Sequence, residues 1–405
     1  MKRYLFSTIL ALITLSAIFL TPSCESNEPG KDTPKTDTLV IRDTLVVDTI
    51  IVDTLYIRDT VASVTPVPLS CVQPPFLQQG DTVAIITPSY SVPLSTLQNA
   101  CDVIRGWGLV PILGPNTDKQ YNGKYAGTVE ERAADIHWAW QRPGIKAIIT
   151  GRGGYGSIQL IDYISPEELS AQPKWLCGFS DISTLHGMLT RAGVMSIHGT
   201  MATFLPGSPN TMTTTLMRDL LMGQVPCYNL PPNELNISGK ASGILVGGNV
   251  CTFAPNVGTW ADATLGQDII LFVEEVGESM HNIDRQMRIL QLNGVLDRCK
   301  GVILGEFADC GNEFKDENGN TMSVEAMLHK MIEPYGIPLI CCFPAGHDVV
   351  NLPLVMGAPT TMEVSGNNVT VTFNINGEQH IVNTANVSAA PMPRKEIMRL
   401  AGKCN

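Results

Sequence analysis

The sequence predicts an α/β protein in which an N-terminal domain with a parallel sheet precedes a mixed α+β C-terminal domain. In the first half, short apolar runs alternate with helical segments, the pattern of parallel strands joined by crossover helices. A stretch rich in Pro and Asn at 224–239 then indicates a boundary loop. The second half mixes strands and helices and ends in two turn signals typical of hairpins, Gly366-Asn367 and Asn376-Gly377.

The elements of the first half follow from apolar runs and their spacing. Residues 81–86 form an apolar, β-branched run that ends in the turn Thr87-Pro88-Ser89. Further strands are expected at 109–113, 145–150, 174–178 and 194–197, with helices at 94–107, 128–140 and 182–191. In the second half we expect strands at 243–246, 269–273 and 301–305, a helix at 283–293 and an apolar run at 338–342.

The bulk composition fits two domains with tails. The 405 residues are 44% hydrophobic and 16% charged, which allows a large core and argues against wholesale disorder. The predicted boundaries are a signal peptide at 1–24, a tether and stalk at 25–75, an N-terminal domain at 76–230, a C-terminal domain at 240–390 and a tail at 391–405. A net charge of −11 without any Lys/Arg block argues against a nucleic-acid partner.

The N-terminus predicts export. Lys2 and Arg3 precede an apolar run at 5–20, which is shorter than the roughly 20 residues of a membrane-spanning helix. Cys24 follows a small residue, as in a bacterial lipobox, where the cysteine is lipidated. We therefore expect a lipoprotein of the cell envelope, anchored to a membrane on the periplasmic side or at the cell surface. The alternative is an ordinary signal peptide or an uncleaved anchor.

An Asp-Thr repeat at 37–61 recurs every five or six residues and has strand propensity without a helical period. It predicts an extended stalk that holds the globular part away from a membrane. The alternative is a strand edge that pairs with a partner.

A glycine-rich turn carries the first candidate for chemistry. Ser157 directly follows the run Gly151-Arg152-Gly153-Gly154-Tyr155-Gly156 and begins a helical segment. This places it at the edge of a parallel sheet where ligands bind. Ser157 could be an activated hydroxyl, a helix cap, or part of a phosphate cradle, although the P-loop lysine is absent.

An activated serine needs a base and a group that orients the base. His347 follows the apolar run 338–342, and Glu274 and Glu275 follow the strand 269–273, so each lies beyond a predicted strand end. Strand alternation lets only one of the two glutamates point into a given site. The sequence contains neither H-E-x-x-H nor a cysteine pair at zinc spacing, so no metal and no cofactor is expected.

Seven short motifs follow one another at 152–157, 178–186, 198–199, 247–249, 271–275, 283–287 and 346–347. Their order along residues 80–361 closely resembles the LD-carboxypeptidase family, which includes the microcin-immunity serine peptidases. Thr200 and Glu275 depart from the family pattern, which usually has proline and aspartate there.

The resemblance implies a flavodoxin-like N-terminal domain and a triad in which Ser157 is the nucleophile, His347 the general base and Glu274 the orienting carboxylate. It implies release of terminal D-alanine from peptidoglycan tetrapeptides and leaves a homodimer open. Two alternatives remain: a microcin-immunity-like peptidase that cleaves another amide, and a non-catalytic lipoprotein that binds muropeptides.

Two further sets of residues are expected around that triad. The backbone N–H groups near Gly154 and Ile158 are the expected oxyanion donors, since a glycine turn before a helix exposes such groups. Arg152, Ser180 and Asp181 flank the same sheet edge, where they either meet substrate charges or cap loops.

Overall fold

A computed structural model describes residues 71–207, 211–311, 313–348 and 350–385 of the chain. All of them belong to one compact unit, Val67–Asn405. The predicted signal peptide with Cys24, the Asp-Thr stalk and the tail at 391–405 lie outside the described residues and stay predictions.

The first sheet has six strands and follows the order of a flavodoxin-like fold. Five parallel strands lie in the order β2-β1-β3-β4-β5, and the short strand β11 pairs antiparallel with β5 at the edge. The strands are β1 Thr82–Ile86, β2 Val110–Leu113, β3 Ile145–Thr150, β4 Trp175–Gly178, β5 Ser196–His198 and β11 Leu354–Met356.

Helices cover this sheet. They are α1 Leu94–Gly106, α2 Val129–Trp140, α3 Pro166–Ala171 and α4 Ser183–Arg191, with 3-10 turns at Ser157–Asp162, Ser180–Ile182 and Ala202–Phe204. The next helix, α5 Met212–Leu221, packs on strand β6 Gln224–Leu230 of the second sheet. The start of α2 shows how the sequence sets a boundary: Thr128 accepts from the amide of Glu131, whose side chain accepts from the amide of Thr128. This reciprocal cap satisfies two amides that the first turn leaves unpaired.

The second sheet has eight strands in the order β10-β9-β8-β7-β12-β13-β6-β14. Strands β7 to β10 pair in parallel with one another, whereas β12 pairs antiparallel with β7 on one side and forms an antiparallel hairpin with β13 on the other. The strands are β6 Gln224–Leu230, β7 Gly239–Asn249, β8 Ile269–Val276, β9 Cys299–Ala308, β10 Leu339–Ile340, β12 Pro359–Ser365, β13 Asn368–Phe373 and β14 Glu378–Asn383. Its helices are α6 Val250–Phe253, α7 Met280–Leu292, α8 Val295–Arg298 and α9 Val324–Ile332.

The two sheets share their largest hydrophobic core cluster. Ile149 and Ile197 of the first sheet belong to the same buried cluster as Phe272, Phe343 and Phe373 of the second half. The predicted fold class, a parallel α/β domain followed by a mixed α+β one, is confirmed. Among the described residues, none of the helices has the length and apolarity needed to cross a membrane.

Two local predictions were wrong. Half of the expected boundary loop at 224–239 is strand β6, because Val225, Tyr228 and Leu230 are buried and pair into the second sheet. The turn Asn376-Gly377 does not close a hairpin. Strand β14 crosses to the far side of β6 and pairs with it in parallel, whereas β13 pairs with the other side of β6.

Gly247 gives a test of how tightly the second sheet is built. Its φ is +128°, and a Cβ there would lie 1.8 Å from the backbone oxygen of Phe272 on β8. We expect Gly247→Ala to lower the free energy of unfolding by about 1–3 kcal/mol or more, measured by urea titration. Gly106→Ala, at the exposed end of α1 with no atom within 4 Å, is the control and should be neutral or slightly stabilising. Equal effects of the two changes would contradict this packing.

Candidate active site

The site is built where the strand order of the first sheet reverses. From neighbouring strands β1 and β3 the chain leaves toward opposite edges of the sheet, and α/β proteins bind ligands at the carboxyl ends of such strands. Ser89 follows β1, Ser157 follows β3 and Asp181 follows β4, so the three side chains meet at this edge. All three are buried.

Two positions of the glycine turn, residues 151–157, require glycine because their φ is positive and a Cβ would clash. Gly154 and Gly156 have φ of +120° and +130°. A Cβ on Gly154 would lie 2.3 Å from the Tyr90 ring, and one on Gly156 would lie 2.8 Å from Arg132 Nη1. These glycines allow the chain to turn sharply out of β3, so that Ser157 becomes the first residue of a 3-10 turn.

One carboxylate oxygen of Asp181 accepts hydrogen bonds from both Ser89 and Ser157. Its Oδ2 accepts from the Ser89 hydroxyl at 2.6 Å and from the Ser157 amide at 2.8 Å. The Ser89 and Ser157 hydroxyl oxygens are 3.0 Å apart. Ser89 gives its single proton to the carboxylate, and the Ser157 hydroxyl interacts with both Ser89 and the Asp181 side chain.

Arg132 of α2 holds the two turns together. Its Nη1 donates to the carbonyl oxygens of Pro88 at 2.8 Å and Gly156 at 2.9 Å, and its Nη2 donates to Gln159 Oε1 at 2.6 Å. Buried arginine is costly unless its donors are used, and here it links the residue before each serine. Neither Ser89 nor Arg132 was singled out from sequence. The available signals were a hydroxyl at a β1 turn and an arginine on the apolar face of α2.

The expected oxyanion donors lie beside Ser157. The amide of Ser157 is engaged by Asp181 and cannot serve. Within the described residues, the backbone N–H groups of Gly154 and Ile158 donate to no protein acceptor. They stay the predicted donors.

A second pair of groups comes from the second sheet. Glu274, near the end of β8, accepts through Oε2 from His347 Nδ1 at 2.7 Å, and both side chains are almost wholly buried. Burial raises the pKa of the Glu274 carboxyl, and the adjacent His347 opposes that rise. Gly346 allows this contact, since its φ is +141° and a Cβ there would lie 3.0 Å from Glu274 Oε2.

Phe179 packs against the imidazole of His347. The rings of Phe179 and His347 pack edge to face with centroids 4.8 Å apart, and Phe179 lies two residues before Asp181. In the described part of the chain, His347 Nε2 has no hydrogen-bond partner. The structure therefore brings Glu274 and His347 together, while the Ser157 hydroxyl is bonded to Ser89 rather than to the imidazole.

Glu275 points to the other side of β8, as strand alternation predicts. Its Oε1 accepts from Asn249 Nδ2 at 2.8 Å, and its Oε2 accepts from the amide of Cys251 at 3.1 Å. Asn249 also donates its amide to Ser183 Oγ at the start of α4, at 2.9 Å. Glu275, one of the two departures from the family pattern, thus orients Asn249, whose backbone N–H contacts the first half.

The three residues expected near substrate have different surroundings. Asp181 is 1% exposed and is occupied by the two serines. Ser180 is largely buried and has a φ of +64°. It packs closely on Gly153, since a Cβ added to Gly153 would lie 2.9 Å from the Cβ of Ser180. Arg152 is partly exposed, with its guanidinium carbon 5.9 Å from the centre of the Tyr90 ring.

Two other histidines of the first half are hydrogen-bonded to protein groups. His186 bonds Ser196 Oγ at 2.7 Å and the Gly178 oxygen at 2.9 Å, and burial lowers its pKa to about 4. His137 pairs with Glu168 at 2.8 Å. His198 lies wholly buried near His347, and burial holds its pKa well below the usual range. Within the described residues no group of three or more His, Cys, Asp or Glu side chains could hold a metal.

Comparison with known proteins identifies the family. Residues 83–199 match the LD-carboxypeptidase N-terminal domain, and residues 242–362 match the LD-carboxypeptidase C-terminal domain. The chain belongs to the LD-carboxypeptidase family, and is thus a member of a family of peptidases.

Relatives within the family include two with different named roles. The murein tetrapeptide carboxypeptidase of Pseudomonas aeruginosa is 30% identical over 295 residues, which covers 69% of this chain and 92% of that protein. The microcin C7 self-immunity protein of Escherichia coli is 26% identical over 61% of this chain and 79% of its own length. The crystal structure of muramoyltetrapeptide carboxypeptidase from Oxalobacter formigenes superposes with a TM-score of 0.65 at 26% identity, over 73% of this chain and 99% of that one.

Removing the Asp181 carboxylate tests its hold on Ser157. We expect Asp181→Ala to lower the free energy of unfolding by about 2 kcal/mol or more, because two buried donors lose their acceptor. It should also slow labelling of Ser157 by a fluorophosphonate probe by about 10-fold or more, since the hydroxyl loses its fixed position.

Two variants serve as controls. Asp181→Asn keeps an oxygen acceptor without the charge. Its free energy of unfolding and its rate of Ser157 labelling should lie between those of Asp181→Ala and the wild type. Asp162→Ala, exposed at the end of the same 3-10 turn, should behave as the wild type in both measurements. If Asp181→Ala unfolds and reacts like Asp162→Ala, Asp181 does not hold the serine.

Proposed function

We propose that this protein is a serine LD-carboxypeptidase that releases terminal D-alanine from peptidoglycan tetrapeptides, with Ser157, His347 and Glu274 as its triad. One observation carries the proposal. Buried Glu274 orients the His347 imidazole through Nδ1, and Nε2 of that ring has no partner among the described residues. The same chain holds Ser157 at the end of a glycine turn. The family membership supports the reaction class.

In the proposed reaction, His347 Nε2 takes the proton of Ser157 as the hydroxyl oxygen attacks the amide carbon. Glu274 keeps the Nδ1 proton in place and stabilises the imidazolium that forms. His347 then gives the proton to the departing amine, and water hydrolyses the acyl-enzyme by the same steps in reverse order. At rest the Ser157 hydroxyl is hydrogen-bonded to Ser89, so in the proposed reaction the Ser157 side chain rotates toward His347 before attack.

The tetrahedral oxyanion is proposed to accept from the N–H groups of Gly154 and Ile158. Loss of one such donor typically costs about 10²–10³ in rate. The backbone N–H of Ser157 donates to Asp181 and is not available to the oxyanion. The proposed oxyanion hole therefore differs from oxyanion holes in which the nucleophile's own N–H is a donor.

The proposed location rests on the sequence alone. A lipidated Cys24 and the stalk at 25–75 would hold the enzyme at a membrane of the cell envelope, where it meets peptidoglycan-derived peptides. The rival with a different substrate is a microcin-immunity-like peptidase, for which a family relative exists. The non-catalytic rival is a muropeptide-binding lipoprotein.

The triad is tested by measuring D-alanine released from a purified tetrapeptide. We expect Ser157→Ala and His347→Gln each to lower kcat by about 10⁴-fold or more while the Ser157→Ala protein still binds the peptide. Ser170→Ala, which changes a serine on α3 whose hydroxyl donates to Glu167 O, is the control and should keep full activity.

The outcomes separate the rivals. Wild-type protein that binds tetrapeptide and releases nothing from it would support the binding lipoprotein. Hydrolysis of other amides with no release of D-alanine would support the microcin-immunity-like activity. In both cases the proposed function is wrong.

A further inference from the structure

We propose that Asn351 is a positioning residue for the general base, which it holds in place through the backbone of Gly346. This inference rests on the proposed function, since it takes His347 to be the group that accepts the proton of Ser157. It assigns to Asn351 a contribution to kcat that passes through the backbone rather than through contact with the reacting atoms.

The backbone beside His347 is glycine, which by itself is weakly restrained. Gly346 is required there because its φ is +141° and a Cβ would lie 3.0 Å from Glu274 Oε2. Glycine, however, has access to more backbone conformations than any other residue. Glu274 restrains the ring of His347 through Nδ1, but that bond does not fix the peptide that carries the ring. A restraint on the backbone of Gly346 would therefore hold the imidazole in one place.

Asn351 supplies such a restraint. Its Oδ1 accepts a hydrogen bond from the N–H of Gly346 at 3.1 Å. Both residues are buried, so water cannot easily replace a lost acceptor and the bond is costly to break. A second bond, from the Leu352 N–H to the Pro344 oxygen at 2.9 Å, lies just outside this one. Of these two bonds, the one to Asn351 reaches the residue next to His347.

Asn351 is itself held in place by its own backbone and by the strand that follows it. Its N–H donates to Thr213 Oγ1 at 3.0 Å, in the first turn of α5. Strand β11 begins three residues later, and its Leu354 pairs with His198 of β5. Leu354 and His198 are wholly buried, so this pairing is part of the core. Asn351 thus connects the backbone at His347 to the edge of the first sheet.

The two restraints on His347 therefore come from different sheets. Glu274 orients the ring from β8 of the second sheet, whereas Asn351 relates the backbone to the sheet in which Ser157 follows β3. Proton transfer depends steeply on the geometry of base and hydroxyl, and a misplacement of about 1 Å can cost about 10²-fold in rate. Asn351 is therefore expected to affect the chemical step and not the binding of the peptide.

The test compares substitutions that remove or keep the acceptor oxygen. In the described part of the chain, Asn351 Nδ2 has no hydrogen-bond partner, so the oxygen is the atom to vary. We expect Asn351→Leu to lower kcat for D-alanine release by about 10- to 100-fold with little change in KM. Asn351→Asp keeps an oxygen acceptor and should recover part of the loss. Thr213→Val removes the acceptor of the Asn351 N–H and should lower kcat in the same way but less.

Asn236→Leu is the matched control. Asn236 Oδ1 also accepts from a backbone amide, that of Cys341 at 2.8 Å, and Cys341 lies five residues before Gly346. The control removes the same kind of hydrogen bond from the same stretch of chain. It should therefore lower the midpoint of thermal unfolding, as Asn351→Leu does, and keep the kcat of the wild type.

An NMR spectrum of the imidazoles separates this inference from the proposed function. In protein labelled with isotopic nitrogen in the histidine rings, the His347 signals are those that disappear in His347→Gln. We expect Asn351→Leu to shift or broaden these signals, because the ring loses its fixed position, and Asn236→Leu to leave them unchanged. This result is expected even if the wild type releases no D-alanine, in which case the proposed function is wrong and Asn351 still positions the imidazole.

Three outcomes would overturn the inference. Equal losses of kcat in Asn351→Leu and Asn236→Leu would mean that Asn351 contributes only to stability. A loss that appears in KM alone would mean that it acts on peptide binding. Unchanged His347 signals in Asn351→Leu would mean that the imidazole does not depend on it. If Asn351→Leu does not fold, Thr213→Val and Asn351→Asp decide the same comparisons.

Discussion

Asp181 accepts two hydrogen bonds through a single buried oxygen, one from the Ser89 hydroxyl and one from the Ser157 amide. The carboxylate follows β4, whereas the serines follow β1 and β3, so this one group fixes three neighbouring loops at the edge of the sheet. Burying a carboxylate is costly unless its acceptors are used, which ties the position of Ser157 to the stability of the whole edge. Arg132 adds a second tie through the carbonyls of Pro88 and Gly156.

The site also depends on close contact between the two halves of the chain. Gly248 has a φ of +134°, and a Cβ there would lie 2.2 Å from Ser183 Oγ on α4. The next residue, Asn249, bonds both Ser183 and Glu275. Gly248 therefore lets the end of β7 approach α4 of the first half closely.

Sequence patterns predicted the parallel sheet well because its strands are short, apolar and separated by amphipathic helices. The predicted strand at 145–150 coincides with β3, and the predicted helix at 94–107 ends one residue beyond α1. The polar interior was harder to predict. Ser89 and Arg132 lie far from Ser157 in sequence, and a buried hydrogen bond between distant loops leaves no periodic signal. The pairing of β14 with β6 was missed for a related reason, since a turn signal gives a change of direction but not the partner strand.

Strand β11 carries a consequence for how this protein can evolve and be engineered. It begins seven residues after His347, yet it completes the edge of the first sheet by pairing with β5. A chimera that joined the first half to the second half of a distant relative would replace this strand together with the imidazole. Any mismatch would leave β5 with exposed backbone donors and acceptors, which promotes aggregation. Recombination between relatives is thus expected to succeed only when the junction keeps β5 and β11 from the same parent.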